Sequence, residues 1–219
     1  MNSITRPLTP SAENRGFEPF VELDFPVING QVLPADHNYG LYAAFVHLIP
    51  ELRQHPELAI LTVPGIKDQQ GKIHLTRQSL TRIRVPISKI PLVYPLAGKK
   101  VKVGVHEIQL GIPTVSMLCP APTVRARIVT IKGAMELGSF IASAQRQLDN
   151  LGIVGHLSVP LNRDGQPSRK VIKIQRYTVV GFTTEVTGLS DEHSLLLQQF
   201  GCGGKRHMGC GIFLPHQEH

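Results

Sequence analysis

Residues 190–215, SDEHSLLLQQFGCGGKRHMGCGIFLP, contain a helix signal, a glycine-rich loop and a strand signal in succession. Ser190 and the acidic residues after it predict the start of a helix, because a serine hydroxyl caps free backbone N–H groups and negative charge suits that end of a helix. The final IFLP predicts a short strand. The helix and the strand are joined by residues 201–211, a loop in which five of eleven residues are glycine.

Segments upstream of this stretch complete an order of strands and helices. TVRARIVTIKG predicts a strand, residues 136–153 predict a helix that ends at Gly152, and GHLSVPL predicts a second strand. Residues 169–188 predict more strand, with a break at Gly181. Together with the last helix and strand, these segments give the second half the order β-α-β-β-α-β.

The first half of the chain repeats that order. PFVELDFPVI, residues 19–28, alternates as a strand does. The helix after it has one apolar face, formed by Leu41, Ala44, Phe45 and Leu48, and Pro50 marks its end. Further strands are predicted at ELAILTVPGI, KIHLT, LTRIRVPI and KKVKVGVHEIQLGIP, with a proline-interrupted helix that ends at Gly98.

The doubled order predicts an α+β protein made of two tandem ferredoxin-like domains. Each antiparallel sheet would carry its helices on one face and leave the other face free to bind, as RNA-recognition domains do. Two prolines in LCPAPT break the pattern between the halves. We therefore predict a flexible N-terminal arm at residues 1–17 and domains at residues 18–118 and 121–215, the second containing the glycine-rich loop.

The composition favours a globular protein that binds nucleic acid. Of 219 residues, 42% are hydrophobic and 18% charged, and the net charge is +7. An excess of positive charge favours a polyanionic partner, and nucleic acid is the first candidate. No apolar run reaches the about 20 residues that a membrane helix needs, and the N-terminus lacks the apolar core of a signal peptide. We expect a cytoplasmic protein without membrane contact.

The glycine-rich loop has the composition of an anion-binding loop. Glycine permits positive φ angles, so successive backbone N–H groups can surround a phosphate, while Lys205 and Arg206 add positive charge. A nucleotide-binding P-loop is disfavoured, since Arg206 stands where such loops carry Ser or Thr. A zinc site at Cys202, His207 and Cys210 is also disfavoured, because it has three ligands at a non-standard spacing. A plain turn is the remaining alternative, and no metal or other cofactor is predicted.

Motifs outside the loop point to a known family. LPADHNYGLYAA, PLAGKKVKV and VTIKG, together with GCGGKRHMGCGIF between a helix and a terminal strand, resemble the Cas6 endoribonucleases of CRISPR systems. These belong to the repeat-associated RNA-binding superfamily, and the likeness is to the small myxobacterial-type class 1 subgroup. It covers about residues 20–215. The resemblance implies a metal-independent endoribonuclease that binds CRISPR repeat RNA and cleaves precursor CRISPR RNA within the repeat to give mature guide RNA.

The resemblance also implies where the catalytic residues lie. In such enzymes the ribose 2′-hydroxyl attacks the adjacent phosphate and leaves a 2′,3′-cyclic phosphate, and the acid or base lies on or beside the first helix. This points to His37 near the helix start and His47 in its last turn, with a slight preference for His37. Tyr39 and Tyr42 are weaker candidates, and His55 beyond the helix is a third choice. Histidine suits both proton transfers because its pKa lies near neutral pH.

Residues in and beside the predicted strands and loop are the candidate RNA-binding residues: Arg125, Arg127, Lys132, Arg169, Lys170, Lys173, Gly203, Gly204, Lys205, Arg206, His207 and Gly209. The cations among them would contact phosphates, although strand lysines also occur at solvated sheet edges. The predicted partner is CRISPR repeat RNA, as precursor and mature guide, with other subunits of a class 1 effector complex as further expected partners. The alternative from another class is a non-catalytic repeat-RNA-binding subunit with the same fold.

Overall fold

The first half of the chain is built around one antiparallel sheet. The computed structural model describes residues 18–174 and 176–216, so the predicted arm of residues 1–17 lies outside the described part. The elements follow in the order β1 (Phe20–Asn29), β2 (Val32–Pro34), α1 (Asn38–Leu48), β3 (Ala59–Ile60), β4 (Ile66–Lys67), β5 (Lys72–His74), β6 (Leu80–Pro86), α2 (Ile90–Val93), β7 (Lys100–Val103), β8 (His106–Leu110) and β9 (Thr114–Met117).

The strand order of this sheet is β3-β6-β1-β8-β7, and β9 pairs with β1. Taking β1, β3, β6 and β8 as the four strands of the repeat, the order is second, third, first, fourth, as in a ferredoxin-like sheet. The buried stripe of α1 runs through Leu41, Phe45 and Ile49. Leu48, predicted on the same face, lies beside this stripe and is 38% exposed.

Two features of the first half were not predicted. Strands β2, β5 and β4 form a separate small sheet, and β9 adds a strand after the ferredoxin-like order is complete. The segment predicted as one strand, ELAILTVPGI, instead supplies the short strands β3 and β4 on different sheets. Pro64 lies between them, and proline has no N–H with which to continue a ladder.

The second half repeats the first with fewer additions. Its elements are β10 (Val124–Val129), α3 (Leu137–Asn150), β11 (His156–Ser158), β12 (Arg169–Ile174), β13 (Tyr177–Thr187), α4 (Asp191–Phe200) and β14 (Phe213–Pro215). The sheet order is β11-β13-β10-β14, again second, third, first, fourth, with β12 added beside β13. The predicted Ser190 cap of α4 is confirmed, since its hydroxyl accepts the His193 N–H. Among the described residues, no helix is long and apolar enough to cross a membrane.

The predicted strand break at Gly181 is wrong. The chain turns instead between Ile174 and Tyr177, which lie opposite each other, and Gly181 is inside the continuous strand β13. A Cβ at Gly181 would lie 2.2 Å from the backbone oxygen of Val129. The glycine therefore allows two strands to approach closely at the irregular pairing of β10 and β13, rather than ending a strand.

The two halves are joined by a buried charged side chain, Arg84 on β6. It is fully buried and its Nη2 lies 2.6 Å from the carboxylate of Glu22, its cross-strand neighbour on β1. Its Nη1 donates to the backbone oxygens of Gln198 and Phe213 in the second half. One guanidinium thus connects the first sheet to both the end of α4 and the start of β14.

We expect Arg84→Ala to lower the free energy of unfolding by about 3–5 kcal/mol, because it leaves the buried Glu22 carboxylate with only the more distant Arg82, 3.6 Å away, and removes the donor to the Gln198 and Phe213 oxygens. Urea denaturation followed by circular dichroism measures this change. Lys100→Ala is the control, since Lys100 and Glu107 form an ion pair in which both side chains are exposed. That variant should change stability by less than about 1 kcal/mol, and equal losses in the two variants would contradict the structural role of Arg84.

Candidate nucleic-acid interface

The glycine-rich loop, residues 201–211, closes on itself at its neck. Gly201 and Gly211 both have φ of 66°, and the Cys202 N–H donates to the Gly211 oxygen. A Cβ on Gly201 would lie 2.1 Å from the oxygen of Gly211. The neck therefore requires glycine, both for its left-handed backbone and for the close crossing of the two chain segments.

The glycine N–H groups inside the loop are already hydrogen-bonded within the protein. Gly203 donates to Oε1 of Gln147 over 2.7 Å, and Gly204 donates to the Thr130 oxygen over 2.9 Å. Gly209 donates to the Arg206 oxygen. These internal acceptors argue against the expectation that the three N–H groups surround a phosphate.

Gly209 instead holds the loop against α1. A Cβ there would lie 2.0 Å from Nδ2 of Asn38. That same nitrogen donates to the Met208 oxygen over 2.8 Å and to the Thr62 hydroxyl over 2.9 Å. The loop thus packs on the first turn of α1, which brings its residues next to the helix that was expected to carry the catalytic groups.

The two cations of the loop have different roles. Arg206 donates from Nη1 and Nη2 to the oxygens of Phe200 and Gln199, so it caps the end of α4. Burial, with the nearby charge of Arg84, lowers the pKa of Arg206 to about 9. These internal contacts argue against its predicted role as a phosphate contact. Lys205 is exposed, and it is the one non-glycine residue with positive φ, at 66°, in the described part of the chain.

His37 is a structural residue. It is 1% exposed; its Nδ1–H donates to the Pro34 oxygen over 2.8 Å, and its Nε2 accepts the Val63 N–H over 3.0 Å. Burial lowers its pKa, so the ring is neutral near pH 7. Both ring nitrogens are occupied and solvent does not reach them. This placement argues against the preferred catalytic assignment of His37.

The loop does bring one histidine to the first helix. The ring of His207 stacks on Tyr42, with centroids 5.0 Å apart and planes at 1°. Its Nε2–H donates to the backbone oxygen of His55 over 2.8 Å. Burial lowers the pKa of His207. Its Nδ1 then carries a lone pair near pH 7 and has no hydrogen-bond partner among residues 18–174 and 176–216.

His55 completes this cluster, which we call the Tyr42–His55–His207 cluster. The Nδ1–H of His55 donates to Oε1 of Glu57 over 2.9 Å, and both side chains are partly exposed. A carboxylate on one ring nitrogen orients the imidazole and directs its other nitrogen outward. In the sequence, the signal for this pair is a glutamate two residues after a histidine, Glu57 after His55.

The other candidates on α1 lie apart from this cluster or at its edge. His47 is exposed in the last turn and lines a shallow depression with Lys100 and Lys102. Tyr39 is half-buried, one helical turn before Tyr42. The structure therefore groups Tyr42 with two histidines and leaves His47 beside a separate basic surface.

Apart from Arg206, the predicted RNA-binding cations lie in three places. Lys132 and Lys205 line a groove of about 940 Å³, together with Gly203 and Gly204. A shallower depression of about 430 Å³ on the open face of the second sheet is lined by Arg125, Arg127 and Lys170. Arg169 and Lys173 are exposed on the opposite side of β12, since side chains alternate along a strand.

The cysteines supply no reactive thiolate near the loop. Burial raises the pKa of Cys202 to about 12 and that of Cys210 to about 11. Both thiols therefore remain protonated near neutral pH. Within the residues that the structure describes, no group of three or more His, Cys, Asp or Glu side chains is placed to hold a metal ion.

Comparison with known proteins gives consistent matches. The family model described as "Cas6 Crispr" matches residues 21–218. The "CRISPR-associated endonuclease Cas6" of Myxococcus xanthus (strain DK1622) is 38% identical over 196 residues, covering 90% of this chain and 81% of that protein.

Solved structures share the fold at low identity. "CRISPR associated protein Cas6" aligns with a TM-score of 0.62 at 13% identity, covering 91% of this chain and 99% of the other. "An RAMP protein binding different RNA substrates" aligns with a TM-score of 0.63 at 11% identity, covering 91% of this chain and 100% of the other. These likenesses support the tandem ferredoxin-like fold.

The buried position of His37 predicts a loss of stability at acidic pH. Because its pKa is lowered in the folded state, the unfolded chain binds more protons, so stability is present above about pH 6.5 and falls below it. His37→Gln should make this dependence shallower by up to about 1.4 kcal/mol per pH unit. Urea denaturation between about pH 5 and pH 8 measures it. The exposed His74→Gln should keep the wild-type dependence, and an unchanged slope in His37→Gln would refute the assignment.

Proposed function

The chain belongs to the Cas6 family, and from this we propose that it is an endoribonuclease that cleaves precursor CRISPR RNA within the repeat. The 38% identical relative is named as an endonuclease. The observation that carries the proposal is the Tyr42–His55–His207 cluster. In it, the His207 ring stacks on Tyr42 and is hydrogen-bonded to the backbone oxygen of His55, at the contact between the first helix region and the glycine-rich loop.

The reaction we propose is attack by the ribose 2′-hydroxyl on the adjacent phosphate. The 2′ oxygen forms a bond to phosphorus and loses its proton, and the bond from phosphorus to the 5′ oxygen breaks. The products are a 2′,3′-cyclic phosphate and a 5′-hydroxyl. This chemistry needs a base, an acid and an in-line geometry, and it uses no metal-activated water.

His207 is suited to act as the base. Its Nε2–H is held by the His55 oxygen, which leaves the lone pair on Nδ1 to accept the 2′ proton. Its lowered pKa keeps the ring neutral at physiological pH. Stacking on Tyr42 fixes the ring plane, so the base is oriented before RNA binds.

His55 is suited to act as the acid. In the protonated ring, Nδ1–H donates to the Glu57 carboxylate, which orients the ring and leaves the Nε2 proton for the reaction. Nε2, which has no partner within the described part of the chain, can then give a proton to the leaving 5′ oxygen. The exposed Lys205, two residues from His207, supplies positive charge for the phosphate that gains negative charge during attack.

The partner that this function requires is CRISPR repeat RNA. The +7 net charge and the basic groups on the second half favour binding of a polyanion. Binding to other subunits of a class 1 effector complex and a cytoplasmic location remain predictions, as do the domain limits at residues 18–118 and 121–215.

A repeat RNA with one 2′-deoxy sugar just upstream of the cut should bind normally and remain uncut, because it lacks the nucleophile. EDTA should leave cleavage of the unmodified RNA unchanged. A denaturing gel gives the products and a binding titration gives the affinity. Normal cleavage of the deoxy RNA would refute the mechanism. Tight binding without cleavage of either RNA would identify the non-catalytic RNA-binding subunit instead.

Replacing either histidine of the cluster by alanine should slow single-turnover cleavage by about 100-fold or more, since each provides a proton transfer. Affinity for the repeat RNA should change little, which separates chemistry from binding. His74→Ala is the matched control, because His74 is also within reach of a carboxylate, 3.3 Å from Asp68, on a separate small sheet.

The same assay distinguishes the two histidine sites. His47→Ala should cleave at close to the wild-type rate, because His47 lies apart from the loop. A large loss in His47→Ala, with normal rates in His55→Ala and His207→Ala, would move the catalytic site to the depression beside β7.

A further inference from the structure

A groove of about 940 Å³ is lined on one side by the glycine-rich loop, and of its lining residues only Lys205 has a role in the proposed reaction. Its volume is within the range of about 300–1,000 Å³ that small-molecule sites occupy. One side is the loop at Gly203–Lys205, and the other is the β12–β13 hairpin around Tyr177. The end of β10 and one side chain of α3 form its base. Four separate segments thus converge on one concave surface.

The walls of this groove combine apolar side chains with an accessible aromatic ring. Ile174 and Val179 face it from the hairpin and Ile131 from the end of β10. Tyr177 is 56% exposed, so its ring is accessible to a molecule in the groove. The Arg176 guanidinium lies 5.1 Å from the centre of that ring. A planar group that enters the groove can stack on this surface.

The polar groups at the base are oriented by hydrogen bonds. The Oε1 atom of Gln147 accepts the Gly203 N–H, which fixes the direction of the amide. The NH2 group of Gln147 therefore remains as a donor, and it has no partner within residues 18–174 and 176–216. A flat molecule with an acceptor oxygen or nitrogen at its edge would match this donor.

The rim of the groove is positively charged. Lys132 and Lys205 line it and both are exposed, and none of the described residues that line it is acidic. An aromatic surface for a flat ring, a fixed donor for its edge and two cations for phosphate are the features of sites that bind unpaired nucleotides.

We propose that this groove binds one unpaired nucleotide of the repeat RNA, with its base stacked on Tyr177 and its phosphates beside Lys132 and Lys205. This inference rests on the proposed function, since it assigns the groove to the same RNA. A paired base is already stacked within its helix and has no free face, so the occupant is an unpaired one. Tyr177 and Gln147 would then determine part of the sequence or structural preference.

The position of the groove limits which nucleotide it takes. Lys205 lines the groove and His207 belongs to the catalytic cluster, and their Cα atoms are at most about 7.6 Å apart because two peptide units separate them. The nucleotide bound in the groove is therefore a near neighbour of the one that is cut. Filling the groove would help to hold the scissile phosphate in place.

An abasic scan of the repeat RNA tests this inference. Affinities are measured by fluorescence anisotropy for RNAs that each lack one base near the cut. Wild-type protein should lose about 5- to 150-fold in affinity at one unpaired position, as expected for one base–aromatic stacking contact of about 1–3 kcal/mol. Tyr177→Ala should bind the intact RNA weaker by a similar factor, and removing the base at that position should then cost it much less affinity than it costs the wild type, because the stacking contact is already gone.

Two controls make the result specific. Tyr177→Phe should restore the wild-type pattern, because stacking needs the ring and not the hydroxyl. Tyr94→Ala removes a tyrosine of similar exposure, 48%, from the first half and should leave the scan unchanged. Circular dichroism should show all three variants folded, since the replaced side chains lie at the surface.

The outcomes separate this inference from the proposed function. If wild-type protein binds and cuts repeat RNA but Tyr177→Ala gives the same abasic profile as wild type, the groove is not a nucleotide site, although the nuclease assignment stands. If wild-type protein binds repeat RNA no better than an unrelated RNA of equal length, the proposed function fails and the nucleotide site fails with it.

Discussion

The buried charge of Arg84 constrains the rest of the structure. A fully buried guanidinium must satisfy its donors within the protein, because an unpaired buried charge costs several kcal/mol. Its partners in the second half, the oxygens of Gln198 and Phe213, lie on either side of residues 201–211 in sequence. Arg84 therefore holds both ends of the glycine-rich loop against the first sheet. The contact between His207 and Tyr42 depends on this placement.

The glycines and the charged residues of the loop have separate roles. Gly201, Gly209 and Gly211 are needed where backbone or side chains approach too closely for a Cβ, as the contacts at the neck and at Asn38 show. Rigid packing of this kind fixes the few side chains that the loop does present. Arg206 is used to cap α4, whereas Lys205 and His207 remain for the RNA that we propose as substrate. The glycines thus act through packing, and the RNA phosphates would be contacted by side chains such as that of Lys205.

The histidines illustrate the limits of sequence patterns. His37 and His55 both lie near α1, and their local sequence does not distinguish them. The structure does so through hydrogen bonding: His37 uses both ring nitrogens inside the protein, whereas His55 keeps Nε2 directed away from Glu57. His207 was predicted as an RNA contact and not as a proton-transfer group, because its neighbours in sequence are cations and glycines.

The doubled β-α-β-β-α-β order, the helix cap at Ser190 and the basic character can all be predicted from the sequence, since periodicity, capping and charge are local or additive properties. The sequence also contained motifs sufficient to indicate the family. Which side chains and backbone groups contact one another across distant parts of the sequence follows from the tertiary structure alone. His207 contacts His55 across 152 positions of sequence, and the loop N–H groups find internal acceptors on other elements. Such contacts depend on how separate elements pack in space, and no local pattern specifies that packing.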